Sequence, residues 1–242
     1  MIDLYFAPTP NARKISIMLE ELGLPYNPHE VDIIAGDQFK PEFLAMNPNN
    51  KIPVLVDSDG PDGLPITLWE TGAIMMYLAE KHNRFIPEDP RARYECLKWL
   101  TFQIASIGPM GGQHAFFRFY AREQIPMAIE RYHNELNRQM RIMNTHLEIT
   151  RYFAGEEYSI ADIAIYAWWI PISKYTTEPR PALERWSAEV GARPAVSKGM
   201  NILIETLRPE VIQAGLQTKM SDESYSGLYG NRQYSQIEVG NT

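Results

Sequence analysis

The chain predicts a small α/β unit followed by an all-helical one. Strand and helix patterns alternate as β-α-β-α-β-β-α within about the first 85 residues, the signature of a compact layered unit. The strand signal then vanishes after the proline-flanked stretch Pro87 to Pro90. Beyond it, apolar residues recur at helical spacing.

Taken in order, Ile2 to Phe6 reads as a short strand, and Pro8-Thr9-Pro10-Asn11 as a turn. Ile15, Met18, Leu19 and Leu22 then mark one helix face, which Gly23 stops. Tyr26 to Asp32 forms a second strand and Gln38 to Met46 a short helix. Lys51 to Asp57 is a buried strand with a proline near its start; Ser58 to Gly63 reverses the chain, and Ile66 to Glu70 returns as a hairpin. Glu70-Thr71-Gly72 opens a helix to about Lys81. Arg91 to Ile107 is helical and is predicted to stop at Gly108-Pro109. Ile125, Ile129, Tyr132, Leu136, Met140, Met143 and Leu147 step by three or four, an amphipathic helix of about six turns. Ser159 and Asp162 form a capping box for the next helix. Leu183, Trp186 and Val190 mark another, and Ala195 to about Gly215 the last. The expected units are residues 1–86, residues 91–215 and a polar tail, 216–242, that packs on something or stays mobile.

Composition narrows the function. The 242 residues carry 23 Lys+Arg against 30 Asp+Glu, a net charge of −7 with no dense basic run, so neither a nucleic-acid binder nor an anionic-membrane binder is expected. No basic-then-apolar leader opens the chain, and the longest apolar run, Ile163 to Ile172, falls short of the roughly 20 residues that span a bilayer. The expectation is a cytoplasmic protein. Cys96 is the one cysteine, so no intrachain disulfide and no Cys-x-x-Cys redox pair can form; among apolar neighbours it reads as a core residue. His82, His114, His133 and His146 lack metal-ligand spacing, so no metal is expected.

Three segments can carry chemistry. Thr9-Pro10-Asn11 stands at a helix start, where unpaired N–H groups and the positive dipole end stabilise an anion or thiolate. The Thr9 hydroxyl and the Asn11 amide can both donate to sulfur. Lys51-Ile52-Pro53 offers a cation beside a strand edge that proline keeps out of the ladder; a cis bond there would turn the Ile52 backbone toward an extended ligand. Glu70 and Thr71 can receive an ammonium and a carboxylate at a second helix start. Taken singly, each reads as well or better as a cap or an edge strand. Together they sit at strand ends of one α/β unit, where such folds gather ligands. They match a molecule with a thiol, a peptide backbone and a free amino-acid end.

On these stretches the chain resembles the cytosolic glutathione transferases, over residues 1 to about 215. Phe6 to Asn11, Asn47 to Pro53, Gly108-Pro109-Met110 and Ile125 to Tyr132 are similar, more narrowly, to the bacterial nu class, relatives of a fungal prion-forming regulator. The resemblance implies a thioredoxin-like N-terminal domain and an all-helical C-terminal domain. It implies glutathione, reduced or oxidised, as co-substrate, with no covalently bound cofactor. Thr9 and Asn11 would meet the glutathione sulfur as catalytic residues. Gln38 and Lys51 would meet its glycyl carboxylate, and Ile52 with Pro53 its cysteinyl peptide. Glu70 and Thr71 would hold its γ-glutamyl end, and Arg131 would reach it from the helical domain. Gln113, His114 and Phe117 would line the second-substrate region. Tyr5 is the rival thiol activator, and strand alternation allows it to pack inside instead.

The implied activity is glutathione-dependent disulfide-bond reduction in which the attacking sulfur belongs to the ligand. The alternatives are conjugation of electrophiles or peroxide reduction and, outside enzymes, a glutathione-binding regulatory module. Expected partners are small thiols, disulfides or electrophiles and a second copy in a homodimer, with the tail crossing that partner.

Overall fold

The computed structural model describes residues 1–175, 178–204 and 221–233. Four strands, β1 (Ile2–Phe6), β2 (Tyr26–Glu30), β3 (Val54–Asp57) and β4 (Ile66–Leu68), form one mixed sheet in the order β2-β1-β3-β4. β1 pairs parallel with β2, Ile2 opposite Tyr26, and antiparallel with β3, Ile2 opposite Asp57; β3 pairs antiparallel with β4. The parallel pair requires a crossover, and α1 (Pro10–Leu22) supplies it.

Strand alternation decides the two faces of β1. Ile2, Leu4 and Phe6 point into the main core. Tyr5 points to the opposite face, where its ring stacks on His29 at 4.5 Å and packs against a small cluster with Val31, Phe43 and Val54. On α1 the predicted stripe is fully buried at Ile15, Met18 and Leu19 and partly buried at Leu22, and Gly23 ends the helix in the left-handed region at φ 69°.

Several boundaries differ from the sequence expectation. β2 stops at Glu30. The helix expected over 38–46 divides into a tight turn, Asp37–Phe39, and α2 (Pro41–Met46), because Pro41 has no N–H to continue the first turn. β3 begins at Val54 instead of Lys51: the buried Asn47 donates its Nδ2 to the Lys51 carbonyl at 2.7 Å, so that stretch bonds to the loop and not to the sheet. The Ile52–Pro53 peptide is cis.

α3 (Thr71–His82) and α4 (Pro90–Phe102) follow. The helix predicted to stop at Gly108-Pro109 does not stop. Its backbone runs on through a π turn, Gln103–Ile107, then α5 (Gly108–Ala115) and a second π turn, Phe116–Tyr120. Proline cannot donate and crowds the carbonyl four residues back; a widened turn just before it absorbs both defects.

α6 (Pro126–Leu147) is the predicted long helix. α7 (Ile160–Ile172) begins at the predicted capping box and threads the core. α8 (Pro181–Gly191) and α9 (Pro194–Asn201) follow. The last predicted helix ends at Asn201, and positions 205–215 of that expectation lie outside the described residues. Within the expected tail, α10 (Asp222–Tyr229) packs back on its own chain. The Ser224 hydroxyl donates to the Ile34 carbonyl at 3.2 Å, the Arg232 guanidinium lies 4.9 Å from the centre of the Phe39 ring, and Arg122 pairs with Asp222 at 2.6 Å. The rest of the expected tail, 216–220 and 234–242, lies outside the described residues.

Cys96 is fully buried in the main core, and burial pushes its thiol up from the ordinary value. Among the described residues, no helix is long and apolar enough to cross a membrane, and no group of three or more His, Cys, Asp or Glu is placed to hold a metal ion.

Candidate functional site

A cleft of about 680 Å³ opens where the sheet unit meets the helical unit. That volume lies within the range of about 300–1,000 Å³ typical of small-molecule sites. One wall comes from the starts of α1 and α3 and the loop before β3: Asn11, Lys14, Lys51, Glu70 and Thr71. The other comes from the helical unit: Ile104, Gly108, Pro109, Gly112, Gln113, Phe116 and Trp168, with Tyr229 of α10 closing one side. A smaller groove of about 190 Å³ shares Asn11, Lys51, Glu70 and Thr71 and adds Ile52, Pro53 and Trp69.

Local sequence explains how the sheet-side wall is presented. Pro10 and Asn11 occupy the first helical positions of α1, with Thr9 as the cap, its hydroxyl accepting from the Ala12 N–H at 3.4 Å. The first turn of α1 carries no acid of its own, so its N–H groups and dipole end are left for a ligand. Asn47 holds the following loop in shape: its Oδ1 accepts from the Asn49 N–H at 2.9 Å while its Nδ2 takes the Lys51 carbonyl. This keeps Lys51 and Ile52 at the groove. Glu70 precedes α3 at φ 72° and ψ 110°, a conformation non-glycine residues rarely hold, at a position lining both cavities.

Lys14 is the residue that sequence reasoning missed on this wall. It is 2% exposed, and its ammonium donates to the Thr71 hydroxyl at 3.2 Å. Burial pushes it down to about 7, and Glu70 partly opposes that shift. The helical side was missed more widely. Phe116, Trp168 and Tyr229 come from three separate elements, and spacing within any one of them carries no sign of the cleft. The Trp168 indole N–H donates to Asn11 Oδ1 at 2.8 Å and so ties the two walls together.

Of the expected residues, the structure brings Asn11, Lys51, Glu70, Thr71 and Gln113 into the cleft and Ile52 and Pro53 into its groove. The others stand outside the lining. Thr9 is turned to its capping bond. Gln38 is buried under the loop, donating to the Ile33 carbonyl at 3.2 Å with its Oε1 unpartnered. Arg131 is exposed on α6. His114 is buried among His133 and Tyr175 rings, and that burial, with His133 and Arg118 nearby, lowers it. Phe117 stacks on Tyr132 at 5.5 Å, and its neighbour Phe116 takes the cleft position instead. Tyr5, on the other face of the sheet, is not part of the lining either.

The arrangement offers a thiolate or carboxylate two open helix starts, two lysine amines and an amide, and offers an ammonium Glu70. No cysteine stands in the lining.

The chain is similar to known proteins over most of its length. The model of the glutathione S-transferase N-terminal domain matches residues 9–81, and that of the C-terminal domain residues 110–194. The chain is 45% identical over 208 residues to the disulfide-bond oxidoreductase YfcG of Escherichia coli K12, covering 83% of this chain and 94% of that protein. Its fold is similar to a glutathione transferase from Pseudomonas putida, solved with one glutathione disulfide bound per subunit. The TM-score is 0.79 at 42% identity, covering 83% of this chain and 91% of that one. A Burkholderia graminis glutathione transferase with two glutathione molecules per subunit gives a TM-score of 0.79 at 42% identity, covering 83% and 87%.

Proposed function

The chain belongs to the glutathione S-transferase family, and on that premise we propose that it is a glutathione-dependent disulfide-bond reductase of the nu-class kind. The observation that carries the reading is a cleft built to hold a thiolate yet lined by no cysteine, in a protein whose single thiol, Cys96, is sealed in the core. The attacking sulfur then has to arrive on the ligand. The solved relatives with two glutathiones or one glutathione disulfide per subunit support it.

Glutathione lies with its γ-glutamyl end at Glu70 and Thr71, its cysteinyl backbone along Ile52 and its glycyl carboxylate toward Lys51. Its sulfur meets Asn11 at the start of α1, where the helix dipole and the amide N–H favour the thiolate over the thiol. The thiolate attacks one sulfur of the substrate disulfide. That S–S bond breaks, the released thiolate takes up a proton, and a mixed disulfide with glutathione remains. A second glutathione thiolate attacks its glutathione sulfur, releasing the other thiol and leaving glutathione disulfide.

A cytoplasmic setting suits a protein with one unpaired cysteine and reduced glutathione as its reductant. A homodimer is part of the proposal, supported by large apolar side chains left exposed on α3 and α4, Met76 and Tyr94. Light scattering would return twice the 27.8 kDa chain mass. The activity is tested with glutathione and hydroxyethyl disulfide, coupled to a reporter of glutathione disulfide. Saturable turnover is expected. Saturable glutathione binding with no turnover would make the protein a binding module. Turnover restricted to aryl halides or peroxides would make it a conjugating or peroxide-reducing transferase.

A further inference from the structure

An asparagine amide has two nearly isosteric orientations, and they are opposite in function at this site. With its NH2 toward the ligand, Asn11 stabilises a thiolate; with its carbonyl oxygen there, it repels one. Nothing on α1 fixes the choice. The partner that does stands across the cleft: an indole N–H can only donate, so the 2.8 Å bond from Trp168 holds the oxygen of Asn11 and leaves the NH2 for the cleft.

The helical unit is shaped around that ring. A Cβ on Gly111 would come within 2.9 Å of the indole, so this glycine leaves the room in which the ring lies. α7, which carries Trp168, is anchored at its start by the buried capping box and packs directly against α1.

We propose that Trp168 is a positioning residue that sets the orientation of the Asn11 amide, so that the helical unit determines how strongly the α1 start favours the thiolate. The inference rests on the reading of Asn11 as the sulfur's donor, and the test separates the two. Trp168→Phe keeps an aromatic ring and removes the N–H. The ultraviolet absorbance of bound glutathione thiolate is followed against pH in the wild type, in Trp168→Phe and in Asn11→Ala. Trp168→Phe is expected to lower the thiolate fraction at neutral pH by about tenfold, the lower end of what one hydrogen bond to a charged group contributes. Its affinity for S-methylglutathione should stay within about twofold, since an uncharged sulfur gains little from the amide.

A wild-type thiolate titration in folded Trp168→Phe, alongside a collapsed one in Asn11→Ala, overturns the inference and leaves the reading of Asn11 standing. A wild-type titration in Asn11→Ala overturns that reading. Should Trp168→Phe fail to fold, the five indole N–H resonances of the native protein decide. One should shift upfield on Asn11→Ala as its acceptor is lost, and five unmoved resonances would refute the bond.

Discussion

Two helix starts in this protein use similar parts for opposite ends. At α7, Ser159 and Asp162 close a full capping box inside the core. Asp162 Oδ1 accepts from the Phe153 N–H at 3.0 Å and the Trp186 indole at 2.9 Å, and Oδ2 accepts from the Ser159 N–H at 3.0 Å and the Ser159 hydroxyl at 2.9 Å. The acid fills the helix start, and complete burial pushes it up to about 6 against the pull of those donors. At α1, Thr9 caps through one long bond, the first turn has no acid, and the open end faces a cleft. A helix start that carries its own anion holds the fold together, whereas one without an anion is available to a ligand's.

The strongest way to break this comparison is Asp162→Ala. It leaves buried donors on Phe153, Ser159 and Trp186 without partners, each costing about 1–3 kcal/mol. Urea unfolding should therefore show a loss of about 3 kcal/mol or more, while glutathione affinity of the folded fraction is retained. A loss below 1 kcal/mol would mean the box is not the keystone described.

Asn11→Ala is the mirror case. Turnover should fall about 10- to 100-fold, the worth of a hydrogen bond to a charged group, with little change in the unfolding midpoint. Tyr5→Phe, on the far face of β1, should leave turnover within about twofold. Steady-state rates of the two variants decide it; a larger loss in Tyr5→Phe would move the thiol site to the strand.

Lys14 sharpens the contrast through pH. Its folded value is depressed from 10.5 to about 7, so its contribution to stability is fully present above 10.5 and is lost as pH falls through about 7. Wild type should gain stability between about pH 7 and pH 10.5, by at most about 1.4 kcal/mol per pH unit for this one proton. Lys14→Met should lack that gain. Denaturation midpoints at pH 7, 8.5 and 10 measure it, and parallel slopes in both proteins would show that the amine is not desolvated as described.

The smallest effect is expected of Thr9→Val. A cap bond of 3.4 Å is long, so the loss in stability should be about 0.5 kcal/mol, the low end for an N-cap. A tenfold loss of turnover in this variant would return Thr9 to the sulfur's contacts.

The sheet-side wall was legible because its residues sit at fixed places relative to local signals. Asn11 follows a cap and a proline, Glu70 and Thr71 precede a helix, and Lys51 and Ile52 precede Pro53. The helical wall was not. Gln113 lines the cleft, whereas Phe117 and His114 turn away and Phe116 faces in. The π turns at Gln103–Ile107 and Phe116–Tyr120 rotate the helix faces, and nothing in the local sequence shows which side of this stretch faces the cleft. Lys14 escaped because a lysine on α1 reads as solvated until Thr71, 57 positions away, is packed over it.

By itself the sequence determined that helices start near Pro10 and Thr71, which faces of α1 and α6 are apolar, that Cys96 has no partner thiol, and that a capping box starts α7. These depend on residues within a few positions of one another, where backbone geometry is repetitive and local chemistry decides. Only the tertiary structure decided that Lys14 is desolvated, that Tyr229 of α10 closes the cleft, and that Trp168 grips Asn11 from across it. Those contacts join residues far apart in the chain. Their side-chain directions follow from how α1, α5, α7 and α10 pack, which no local period encodes.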